Sequence, residues 1–175
     1  MTKPSWTILL VDATLAERAL YRRYLKHDLV AEYYFWEAGW GAQALALCQA
    51  RQPDCIVLDY RLPDLDGLTW LTRLQAQAGA LASPVILLLD VSSEALAVEA
   101  MQQGAQDYLV KPHLSQEMLC RAVRHAIEQA TLRRTLEAHR QQVQEREARL
   151  RRLEAALHHE RAERQRAEEA GRRLE

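Results

Sequence analysis

Three apolar runs constrain this chain more than any other feature: Thr7-Ile8-Leu9-Leu10-Val11, Cys55-Ile56-Val57-Leu58 and Val85-Ile86-Leu87-Leu88-Leu89. None contains a charge, and each is closed by an aspartate, Asp12, Asp59 and Asp90. Short runs rich in β-branched and aliphatic side chains, with no polar alternation, read as strands covered on both faces. Such strands belong to parallel sheets, because crossover helices are what cover a sheet on both sides.

The intervening segments supply those helices. Leu15, Ala19, Leu20, Tyr24 and Leu25 recur at helical spacing with Arg and Lys between them, which predicts an amphipathic helix over 15–26 with a basic outer face. Tyr33 to Ala38 is a short aromatic strand, Gly39-Trp40-Gly41 turns the chain, and a helix from Ala42 to about Arg51 stops before Pro53. Leu68, Leu71 and Leu74 mark a third helix, broken at Gly79. Ser92 or Ser93 caps a fourth, which ends at Gly104. Asp107 to Val110 is a fifth strand, Lys111-Pro112 ends it, and Ser115 caps the last helix. Strand and helix alternate five times, with connections too short for anything but βαβ crossovers.

In a sheet of this kind the functional crevice lies beyond the carboxyl ends of the strands, where strand order reverses. Asp12, Asp59, Asp90 and Lys111 all fall there. A single strand-end aspartate is ordinarily a loop cap. Four chemistry-bearing residues at one sheet edge make Asp59, followed by a Pro/Asp/Gly loop, the candidate reactive group.

Three ordered segments carry a resemblance: Leu10-Val11-Asp12, Leu58-Asp59-Tyr60-Arg61-Leu62-Pro63-Asp64-Leu65-Asp66-Gly67, and Gly104-Ala105-Gln106-Asp107-Tyr108-Leu109-Val110-Lys111-Pro112. From about Thr7 to Glu128 the chain resembles the CheY-like receiver domain of two-component response regulators. The resemblance implies a flavodoxin-like, doubly wound, five-stranded parallel α/β sheet. It also implies that Asp59 accepts a phosphoryl group from a histidine kinase or phosphotransfer protein, that Asp12, Asp59 and the backbone carbonyl of Arg61 hold Mg²⁺, that Lys111 pairs with the phosphoryl oxygens, and that Tyr108 is the switch aromatic. Chemistry agrees, since a carboxylate approaching a phosphoryl anion needs cations to neutralise the developing charge.

The sequence departs from that family in two places. A pair of adjacent acids after the first strand is replaced by Asp12-Ala13, so one carboxylate is missing and Mg²⁺ affinity is expected to fall. Leu89 stands where a Thr or Ser hydroxyl would bond the phosphoryl group, and Asp90 adds a negative charge beside it. The expectation is an atypical receiver, either phosphorylated weakly at Asp59 or acting as a phosphorylation-independent dimerisation and docking module. It is not expected to be an enzyme in itself.

Residues 1–130 are expected to form the receiver and residues 131–175 an extended signalling helix. Leu136, Val143, Leu150 and Leu157 recur every seven residues, with Leu132, Leu153, Ala167 and Leu174 on the complementary heptad position. That seam, interrupted by His139, Arg146, Glu160 and Arg164, predicts a parallel homodimeric coiled coil. The pattern runs to Glu175 without a stop signal, so a piece of a longer protein is expected, such as a hybrid histidine kinase or a cyclic-nucleotide-producing regulator.

The near-balance of charge, a formal −1, gives no global field for nucleic acid or an anionic membrane, and glutamates interleave with the arginines of the last third. No signal segment or bilayer-length apolar run is present, so a cytoplasmic location is expected. Cys48, Cys55 and Cys120, set among apolar residues, are expected to be buried and unpaired.

Overall fold

The computed structural model describes residues 3–78 and 82–172; the break expected at Gly79 and the seam position Leu174 lie outside them. The strands are β1 (Ser5–Val11), β2 (Glu32–Ala38), β3 (Cys55–Asp59), β4 (Val85–Leu89) and β5 (Asp107–Val110). The helices are α1 (Leu15–Lys26), α2 (Gly41–Ala50), α3 (Gly67–Ala78), α4 (Glu94–Gln102) and α5 (Gln116–Arg172), and one 3-10 turn covers Lys111–His113. All strands pair in parallel, in the order β2-β1-β3-β4-β5. The order reverses between β1 and β3, so the switch point lies between Asp12 and Asp59.

The central strands are buried throughout, as their unbroken apolar composition requires. Alternate side chains serve opposite faces. Leu9, Val11, Ile56, Leu58, Leu87 and Leu89 pack with residues of α2, α3 and α4. Ile8, Leu10, Val57, Ile86 and Leu88 pack with Tyr21 and Leu25 of α1 and with Leu119, Val123, Ala126 and Ile127 of α5.

Local caps match the sequence closely. The Ser93 hydroxyl accepts the Leu96 N–H, the Ser115 hydroxyl accepts the Met118 N–H, and Gly104 takes the left-handed conformation, φ +95°, that closes α4.

β2 is an edge strand, so the aromatic residues on it and its turn are only partly covered: Tyr34 is 62% exposed and Trp40 52% exposed, and Tyr33, Phe35 and Trp36 are half-buried. The principal buried aromatics are instead Trp70 and Tyr21. The basic residues of α1 are also not all outward, because Arg18 is buried. Cys55 and Cys120 are buried and Cys48 half-buried, all three as free thiols.

The chain divides into two compact units, Met1–Thr131 and Leu132–Glu175. In the second, the described residues are helical through Arg172, and Leu132, Leu136, Val143, Leu150, Leu153 and Leu157 are each more than half exposed.

Candidate functional site

Asp12 and Asp59 are delivered by neighbouring strands β1 and β3, and burial leaves only 1% and 5% of them accessible. Lys111, directly after β5, reaches both: its Nζ lies 3.1 Å from Asp12 Oδ2 and 2.9 Å from Asp59 Oδ1. The Asp59 contact is one of charge, since Asp59 Oδ1 has no hydrogen-bond partner in good geometry. The Arg61 backbone N–H also bonds the Asp59 carboxylate.

Burial pushes the Asp59 carboxyl above its ordinary range, and the nearby Asp12 adds to that, while Lys111 opposes it. Burial alone would lower the Lys111 ammonium, but Asp59 and then Asp12 outweigh it and hold Lys111 above its ordinary value. The result is two carboxylates sharing one fixed cation.

Asp90, after β4, completes the cluster. Its Oδ1 lies 3.8 Å from Lys111 Nζ and its Oδ2 3.0 Å from Arg61 Nε. Leu89 is buried and pairs with Val110, whereas Tyr108, 38% exposed, sits opposite Leu87 in the β4–β5 register. The expected switch aromatic and the residue replacing the hydroxyl are therefore two register positions apart.

A supporting layer around Asp12 was not read from the sequence. Asp12 Oδ1 accepts the Thr14 N–H at 2.8 Å, which fixes the turn into α1. Arg18 donates to the Asp12 backbone carbonyl, and its Nε pairs with Glu37 Oε2 at 3.1 Å. The Tyr21 hydroxyl lies 2.7 Å from Glu17 Oε2 and 3.2 Å from Asp12 Oδ2, so its single proton is better placed for Glu17. Burial, then the Glu17 hydrogen bond, hold that hydroxyl well above its usual pKa. The available signal was the one-turn spacing of Arg18, Tyr21 and Leu25, which puts them on the helix face turned to the sheet.

The loop after Asp59 is held by its own acids. Asp64 accepts the N–H groups of Gly41 and Ala42 at 2.7 and 2.8 Å, capping α2 from across the sequence. Asp66 accepts the Thr69 N–H and hydroxyl, capping α3. Gly67 closes the loop because a Cβ there would stand 2.7 Å from Leu87 Cδ1 and 3.1 Å from Tyr60 Cα. These two aspartates serve the scaffold, and Asp59 alone of the loop's acids faces Lys111.

The Mg²⁺ implied by the resemblance fits these residues poorly. A hard divalent ion wants several oxygen ligands in octahedral array. Ala13 offers a methyl group, the ammonium of Lys111 already engages Asp12 and Asp59, and among the described residues no group of three or more His, Cys, Asp or Glu could hold a metal ion.

Comparison with known proteins agrees with this geometry. The family profile described as "Response regulator receiver domain" matches residues 8–124. The cyclic di-GMP phosphodiesterase response regulator RpfG of Xanthomonas campestris is 32% identical over 65% of this chain and 30% of its own length. The transcriptional regulatory protein SrrA of Staphylococcus aureus is 34% identical over 73% of this chain and 48% of its own. The chain thus spans less than half the length of these curated relatives. Among solved structures, the signal receiver domain of an HD domain-containing protein from Pseudomonas fluorescens is 29% identical, with TM-score 0.63 over 77% of this chain and 94% of its own. The Francisella response regulator 1452 receiver domain is 27% identical, with TM-score 0.63 over 71% and 98%. With its five-stranded parallel sheet and its strand-end aspartates facing one lysine, the chain belongs to the response regulator receiver domain family of two-component signalling.

Proposed function

We propose that this chain is the receiver input of a longer, cytoplasmic signalling protein. Asp59 accepts a phosphoryl group from a histidine kinase or phosphotransfer protein, and the C-terminal helix passes the change to a dimeric output. The observation that carries this reading is the placement of Asp59 at the β3 terminus, buried, beside the switch point and 2.9 Å from Lys111 Nζ. An Asp59 oxygen attacks phosphorus, the bond to the donor nitrogen breaks, and Lys111 neutralises charge on the transferred oxygens. Receiver domains typically bind Mg²⁺ at this acidic site; Asp12, Asp59 and the Arg61 carbonyl are the residues that would hold it here, weakly. With Leu89 in place of a hydroxyl, one phosphoryl oxygen lacks a partner, so transfer is slow and the phosphorylated state short of one restraint.

A receiver domain is not itself catalytic, and the output lies with the parent. RpfG and SrrA are named for different outputs, a phosphodiesterase and a transcriptional regulator. Among the described residues, no helix is long and apolar enough to cross a membrane.

The test is incubation with acetyl phosphate and Mg²⁺ followed by intact mass measurement. One phosphoryl adduct is expected on the natural sequence and none on Asp59→Asn; absence of any Asp59-dependent adduct at high metal contradicts the reading. A second reading, a phosphorylation-independent docking module, is favoured by Ala13, Leu89 and the ion pairs that already occupy Lys111. It predicts partner binding unchanged by Asp59→Asn.

A further inference from the structure

Lys111 faces a third carboxylate that phosphoryl transfer to Asp59 does not require. Asp90 Oδ1 is 3.8 Å from Lys111 Nζ, and Asp90 Oδ2 is held 3.0 Å from Arg61 Nε. Arg61 lies two residues beyond β3, Asp90 directly follows β4, and Lys111 directly follows β5, so one carboxylate ties the carboxyl ends of three adjacent strands. The Asp12 and Asp59 side chains are almost wholly enclosed, whereas that of Asp90 is 37% exposed. Asp90 therefore meets Lys111 from the side open to solvent, which is the side from which a phosphodonor must arrive.

An anion in that place acts in two ways. It shares the positive charge that would otherwise attract the donor, and it repels the donor's own charge at short range, where screening by salt is least effective. Arg61 keeps it there by pairing with its other oxygen. We propose that Asp90 is a resident counter-anion that competes with an incoming phosphoryl group for Lys111 and thereby limits the rate at which Asp59 is modified. This rests on Asp59 being the phosphoacceptor. In the step concerned, an Asp59 oxygen forms a bond to phosphorus as the bond from phosphorus to the acetyl oxygen breaks. Acetate leaves with that electron pair, and no redox change occurs.

The experiment measures the initial rate of adduct formation with acetyl phosphate and Mg²⁺ by intact mass, in the natural sequence, in Asp90→Asn and in Glu94→Gln. The Asn variant keeps the side-chain shape, and its fold is checked by thermal melting. Glu94 lies in the first turn of α4, outside the Asp90 pairings with Lys111 and Arg61, so its substitution removes one charge from the same end of the sheet without touching the pair. The expected result is a rise on the order of tenfold for Asp90→Asn, as for removal of a close like charge, and less than about twofold for Glu94→Gln. Equal rates in Asp90→Asn and the natural sequence overturn the inference and leave the receiver reading standing, as does an equal rise in both variants. No adduct in any of the three removes the receiver reading itself, and the inference with it.

Discussion

At the scale of single residues, the balance of two enclosed carboxylates against one ammonium makes opposite predictions for its members. Burial raises the Asp59 carboxyl, so the fold disfavours its ionised form. The folded state then binds more protons than the unfolded chain between the ordinary carboxylate range and the raised value, and stability falls as pH rises through that window. Asp59→Asn should therefore raise stability at neutral pH, with the gain vanishing on acidification; urea melts at a series of pH values check this. Lys111→Met should cost about 3–5 kcal/mol at neutral pH, because Asp12 and Asp59 would remain buried and uncompensated. Its cost should shrink as acid neutralises them. Asp12, Asp59 and Asp90 were legible in the sequence because each closes an unbroken apolar run, and Lys111 because it directly follows the fifth strand. Arg18 and Tyr21 were not, since a charged and a phenolic side chain within an amphipathic helix read as its solvent face until the Asp12 carbonyl and carboxylate are placed beneath them.

At the scale of elements, the loop after Asp59 is built from cross-sequence caps. α2 has no side-chain cap from its own N-cap residue, Trp40, and takes one from Asp64 instead. Desolvation raises the Asp64 carboxyl, but the Gly41 and Ala42 N–H groups together help outweigh it, and the carboxyl is held below the ordinary range. A depressed carboxyl stabilises above the unfolded pKa, and the contribution is lost as pH falls through the folded one. Asp64→Ala should cost about 1 kcal/mol at neutral pH, the usual value of an N-cap, and less in acid. Gly67→Ala should cost about 1–3 kcal/mol in denaturant melts, because the added methyl meets Leu87 and the Tyr60 backbone. The number and order of strands and helices were readable from apolar runs and breakers. The partial exposure of β2 was not, because an aromatic run looks the same in a central and an edge strand, and only the reversal of strand order leaves β2 outside. Nor could local sequence show a cap contributed from 23 residues away.

Taken whole, the molecule is a receiver whose Asp12 and Asp59 are already paired with Lys111, followed by a helical unit with an exposed apolar stripe. In the proposed parallel dimer, Arg149 and the partner's Glu154 fall on flanking heptad positions with opposite charge, next to the Leu150, Leu153 and Leu157 layers. Leu150→Asp with Leu153→Asp should give a monomer by light scattering while the receiver keeps its melting transition; a monomer from the natural sequence contradicts the dimer. The central claim is that Asp59 is a receiver phosphoacceptor weakened by Ala13 and Leu89. Its most direct test is the yield of phosphoryl adduct by intact mass after acetyl phosphate and Mg²⁺, compared among the natural sequence, Ala13→Asp with Leu89→Thr, and Asp59→Asn. At least about tenfold more adduct is expected in the double variant, as for regaining one charge-assisted ligand and one hydrogen bond, and none in Asp59→Asn. An adduct that survives Asp59→Asn, or a double variant that takes up no more than the natural sequence, would contradict it.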